Sequence, residues 1–104
     1  MFASELEFMS NARGDEMELL SDLDEIKTLH NKRRVDSKLL YEYESCEKGL
    51  LDITEWLIKN TAAVKQNKKW LDIYLLQKKD IEVKLSQFKQ RIRELRHNTL
   101  EEIN

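Results

Sequence analysis

Apolar residues along this chain recur at steps of three and four, the spacing at which side chains share one face of an α-helix. The longest run begins at Leu39 and passes through Tyr43, Cys46, Leu50, Ile53, Leu57, Asn60 and Val64. Its alternation of four and three is unbroken, as a packed heptad seam requires. A second run reads Leu71, Tyr74, Lys78, Ile81, Leu85, Phe88, Ile92 and Leu95, then slips by one residue to continue at Leu100 and Ile103. Earlier in the chain Leu19, Leu23 and Ile26 form a stripe that Leu20 and Leu29 widen. Continued in register, it meets His30, Arg33 and Ser37, so the apolar character ends there.

The first stripe and the run from Leu39 are out of phase by one residue, about 100° of helical rotation, and one straight helix cannot aim both at the same neighbour. The pattern therefore predicts a turn or kink between His30 and Ser37, with Asp36 or Ser37 as the new N-cap; a continuous helix is the alternative. A second reversal is expected near Gln66 and Asn67, inside the mostly polar stretch 61–69. At the start, Phe2, Leu6 and Met9 share a face over a turn or two. Gly14 is a natural terminator for that short piece, and Asp15, with Glu18 three residues on, forms a capping box for the next. The expected organisation is an amphipathic arm over 1–14 and a helical domain over 15–104, with helices near 15–30, 37–64 and 68–103.

Composition supports an all-α chain. The 104 residues include no proline and two glycines, so the punctuation of sandwiches, barrels and βαβ units is missing. Charged residues make up 37%, above the roughly 25% of average domains, which suits long solvated helices around a thin seam. The one cysteine excludes an intrachain disulfide. No stretch approaches the roughly 18 apolar residues of a membrane span, and the N-terminus lacks the basic and apolar regions of a secretory signal. An intracellular, cytoplasmic protein with no membrane insertion is expected.

Net charge is −2, unevenly laid out. Residues 1–31 carry −6 and residues 59–96 carry +7, with +3 over 32–38, −4 over 39–58 and −2 beyond 96. Opposite charge on successive segments favours their lying side by side, although each exposed pair contributes only about 0–1 kcal/mol.

Candidate chemistry is sparse. Cys46 sits on the heptad seam, where a thiol packs as a small hydrophobe and lacks the electropositive setting of a nucleophile. His30 and His97 are far in sequence from each other and from Cys46, so no zinc-ligand spacing exists. The acid pairs Asp22 with Glu25 and Asp52 with Glu55 read as solvated helix faces. No catalytic residue, cofactor or metal is expected. The bases Lys78, Lys79, Lys84, Lys89, Arg91, Arg93 and Arg96 are the most serious rival signal, since clustered cations neutralise phosphates. They spread around the helix without an aromatic stacking platform, so pairing within the chain or with a protein partner is favoured. Trp56 and Trp70 flank the seams, where a large aromatic is usually core but needs a further helix to cover it. Phe2, Phe8 and Met9 pose the same question at the arm.

The run Leu50-Leu51-Asp52-Ile53-Thr54-Glu55-Trp56-Leu57, followed after a turn by Lys78-Lys79-Asp80-Ile81-Glu82-Val83-Lys84-Leu85, loosely resembles the first two helices of a spectrin repeat, over about half of the chain. That resemblance implies a structural spacer in which residues 15–30 stand in for the third helix.

These patterns converge on an elongated antiparallel helical hairpin or three-helix bundle with coiled-coil-like packing, acting as a non-catalytic interaction protein. Its expected role is that of a subunit or fragment of a larger cytoskeletal, vesicle-trafficking or kinetochore-like assembly, binding other helical proteins or itself. A small nucleic-acid or acidic-protein binder using the basic C-terminal helix is the alternative. Because the last helix is the longest, part of its apolar face is expected to stay uncovered, with Ile81, Leu85, Phe88, Ile92 and Leu95 as anchors, alongside Trp56, Trp70, Phe2, Leu6 and Met9.

Overall fold

The computed structural model describes residues 3–66 and 71–103, and the side chains of 4–66 and 76–103. Three helices follow one another: α1 (Ala3–Lys32), α2 (Ser37–Lys65) and α3 (Leu71–Ile103). They pack side by side as an all-α three-helix bundle of 51 × 19 × 17 Å. Its length is that of one 33-residue helix at about 1.5 Å per residue.

The reversal between α1 and α2 lies where the phase shift in the sequence puts it. Asp36 is the N-cap, its carboxylate accepting from the Lys38 N–H at 3.0 Å. That satisfies one of the amide donors a helix start leaves orphaned. The Asp36 N–H in turn donates to the Glu102 carboxylate at 2.6 Å, tying the turn to the far end of α3. At its other end α2 closes on Gln66, whose N–H donates back to the Ala62 carbonyl. The expected start of the last helix at 68 falls outside the described residues.

The expected arm does not exist as a separate piece. α1 runs unbroken through Gly14, which lies exposed at mid-helix with nothing within 4 Å of where a Cβ would stand. Glycine ends a helix by adopting a left-handed conformation after the last turn; here seam residues continue on both sides, and packing overrides the roughly 1 kcal/mol propensity penalty. The buried positions of α1 are Met9, Ala12, Glu16, Leu19, Leu23 and Ile26, with half-buried His30 next. These steps alternate three and four throughout, so α1 carries a full heptad seam with Glu16 as a polar member.

α2 buries Tyr43, Cys46, Leu50, Ile53, Leu57 and Val64, the seam its sequence announces. α3 buries Ile81, Leu85, Ile92 and Leu95, and then Thr99. The expected slip to Leu100 does not occur. The heptad continues in register to Thr99, fully buried, and Leu100 stays exposed. Cross-helix contacts fix the arrangement. Glu16 meets Thr54, and Met9 meets Thr61, so α1 and α2 are antiparallel. Phe8 meets Lys78, Glu25 meets Arg96, and His30 meets Thr99, so α1 and α3 are parallel.

Candidate interaction surfaces

The long apolar face of α3 is covered by the chain's own first helix. Ile81, Leu85, Ile92 and Leu95 are all buried in the shared core, as is Met9. The reading of these side chains as uncovered anchors is therefore corrected: a three-stranded bundle closes around them because α1 is twice as long as the stripe at 19–26 suggests. Phe88 and Leu6 are half-buried and packed on the same core. The Phe88 ring fills the space a side chain at position 49 would need, which explains the glycine there. Trp56 is also half-buried against the core, its indole N–H donating to the Gln77 carboxamide. Phe2 and Trp70 lie outside the described residues.

Two polar clusters interrupt the core. In the first, Arg13 donates to both carboxylate oxygens of Glu16, at 2.9 and 2.8 Å, and the Thr54 hydroxyl faces the same carboxylate from α2. Glu16 is fully buried, so the guanidinium, itself partly exposed, carries the charge compensation. In the second, near the turn joining α1 to α2, His30 Nε2 lies 3.0 Å from the Thr99 hydroxyl, while its Nδ1 is buried without a hydrogen-bond partner. Burial pushes the His30 pKa below 6.5, against the opposing pull of Glu102.

The thiol of Cys46 is fully buried. Desolvation raises its pKa, with Arg91 opposing; a nucleophilic thiol needs the reverse shift. Among the described residues no group of three or more His, Cys, Asp or Glu side chains is placed to hold a metal ion. No described helix is long and apolar enough to cross a membrane.

The bases of α3 are divided among different faces and several are already engaged. Lys84 pairs with Asp80 at 3.0 Å, Arg91 with Glu42 at 3.6 Å and Arg96 with Glu25 at 3.4 Å, and the Lys78 ammonium lies 4.9 Å from the centre of the Phe8 ring. Lys89, Arg93 and Arg96, at i, i+4 and i+7, share the face of α3 that borders α1, across from acidic side chains of that helix.

What remains on the outside differs from groove to groove. Between α2 and α3, Trp56 and Phe88 border a cleft of about 350 Å³ whose rim mixes Asp52, Asp80, Lys84 and Arg91. Between α1 and α3 lies a larger groove of about 530 Å³ with an apolar floor that includes Ala12, Leu19, Leu85 and Ile92. Between α1 and α2, Met17, Leu51 and Ile58 are 56%, 52% and 56% exposed. Met17 follows Glu16, and Leu51 and Ile58 stand three before and four after Thr54. Since Glu16 and Thr54 meet across that helix pair, helical geometry places all three side chains along one groove, with half-buried Leu20 beside them. These side chains lie off the a and d positions that the sequence pattern singled out; their signal was a second i, i+7 pair, Leu51 and Ile58, next to the seam.

Among the described residues, fold and surface together define an up-down-up three-helix bundle with an exposed apolar row along its α1–α2 groove. Comparison with protein families, with curated proteins and with solved structures returns no match.

Proposed function

We propose that this protein is a non-catalytic helical interaction module, a subunit of a larger assembly that receives an amphipathic helix of another protein on its α1–α2 face. The observation that carries this reading is the exposure of Met17, Leu51 and Ile58 along one groove; Leu40, Tyr41, Leu76, Val83 and Leu100 are exposed elsewhere. Single exposed apolar side chains are ordinary, but several sharing one groove mark a binding surface. Of the neighbouring outward positions Ser10, Gly14, Ser21 and Ala62 are small, which lets an incoming helix approach, while Glu55 and Arg13 are charged and border the groove.

The test compares the proteins that co-purify with the wild-type chain and with the variant Met17→Lys/Leu51→Lys/Ile58→Lys, after helicity shows that both are folded. The variant loses the partners that the wild type retains in high salt, because apolar contacts survive ionic strength whereas phosphate-driven binding weakens steeply. Partners that stay bound to the variant, or that leave the wild type as salt rises, would remove the basis of this reading.

A further inference from the structure

The groove between α1 and α3 is lined by walls of opposite sign. On the α1 side stand Asp15, Glu18 and Asp22, with Glu25 further along the helix; on the α3 side Lys89, Arg93 and Arg96 stand level with Glu18, Asp22 and Glu25, so that the walls are of opposite sign over this stretch, while Glu82, two turns before Lys89, is an acid on the α3 side. From Asp15 to Glu25 there is no basic residue at all. Within the chain the walls are joined by the Arg96–Glu25 pair, and among the described residues Asp15, Glu18, Asp22, Lys89 and Arg93 make no ion pair or side-chain hydrogen bond. The floor between them is apolar.

We infer that this groove is the interface of a parallel two-fold homodimer. A polyanion would be repelled by the α1 wall and a cationic peptide by the α3 wall, so the occupant must carry both signs in swapped order. A second copy does so by symmetry. Because α1 and α3 run parallel, a two-fold axis along the bundle places the acidic wall of each copy against the basic wall of the other, at the same height. A two-fold axis across the bundle instead sets acidic wall on acidic wall. The first interface is isologous, each acid–base contact occurring twice, and it draws Ala12, Leu19, Leu85 and Ile92 of both copies toward a common strip. This face is distinct from the α1–α2 groove, so either reading can fail without the other.

The experiment measures mass by sedimentation over a concentration series at low ionic strength, with helicity followed in each sample. The wild-type chain doubles its mass from 12.5 kDa. Asp15→Lys/Glu18→Lys/Asp22→Lys makes both walls basic and remains monomeric; Lys89→Glu/Arg93→Glu gives its α3 wall the sign of its α1 wall and also remains monomeric. An equimolar mixture of the two recovers the doubled mass, and so does the chain carrying both sets, whose walls are exchanged in sign. Should a reversal variant prove unfolded, the milder Lys89→Gln/Arg93→Gln takes its place and weakens self-association at least tenfold. A wild type that stays monomeric throughout, a dimer indifferent to folded variants, or a mixture that fails to associate overturns the proposal.

Discussion

Glu16 shows how much one side chain inside the core decides. A buried carboxylate is costly unless it is paired, and removing one partner of such a pair typically costs about 3–5 kcal/mol, whereas replacing the charge by an apolar residue of similar volume is often neutral or stabilising. Arg13→Ala is therefore expected to lower stability by about 3 kcal/mol, and Glu16→Met to leave it unchanged or raise it. The Thr54 hydroxyl loses nothing in the second variant, since it also lies 2.9 Å from the Leu50 carbonyl, and Arg13 reaches solvent. Denaturant midpoints of the two variants check the ordering; a Glu16→Met protein less stable than Arg13→Ala contradicts it. His30 gives the second residue-scale prediction. Its folded-state pKa is depressed by burial, so below 6.5 the unfolded chain takes up a proton that the folded chain resists. Stability is thus fully present above that pH and declines as pH falls through 6.5 toward the folded value. His30→Leu removes this decline, leaving Thr99 able to bond back to its own helix. An unchanged pH profile in that variant excludes His30 as its source.

At the scale of the elements, the sequence made two of the helix boundaries readable, one because it lies at a break in phase and the other because it lies in a polar stretch. The one-residue offset between the stripe at 19–26 and the seam from Leu39 located the turn at 33–36, and the polar stretch after Val64 located the end of α2. The first helix was misread because its seam includes a carboxylate and because Gly14 imitates a terminator. Spacing held the signal that hydropathy concealed: positions 9, 12, 16, 19, 23, 26 and 30 keep a perfect heptad. The same applies to Thr99, passed over for the apolar Leu100 although it continues the rhythm from Leu95. The two glycines turn this into a measurable contrast. Gly14→Ala meets open space and is expected to raise stability by about 1 kcal/mol through helix propensity. Gly49→Ala drives a methyl into the Phe88 ring and is expected to lower it by about 1–3 kcal/mol despite the same gain in propensity. Thermal unfolding of the two variants decides; equal shifts contradict the close approach of Phe88.

For the whole molecule, the finding that reorganises the functional picture is that α1 spans the bundle. A hairpin of α2 and α3 alone leaves Ile81, Leu85, Ile92 and Leu95 waiting for another chain; with α1 in place they form an internal core, and the proposed partner contacts are sought on the outward faces instead. That is why the candidate anchors were legible as core positions and illegible as anchors: periodicity identifies the buried face but is silent about which helix buries it. The exposed residues at Met17, Leu51 and Ile58 acquire meaning only once the pairing of α1 with α2 is known. The claim on which all of this depends is that the seams close within one chain. Its most direct test is the helicity and thermal unfolding of the wild-type chain over a hundredfold concentration range, in enough salt to screen contacts between charged surfaces. A core closed within the chain stays fully helical down to the most dilute sample and unfolds in one cooperative transition; helicity that is lost on dilution means that the seam is completed by another molecule, and contradicts the account.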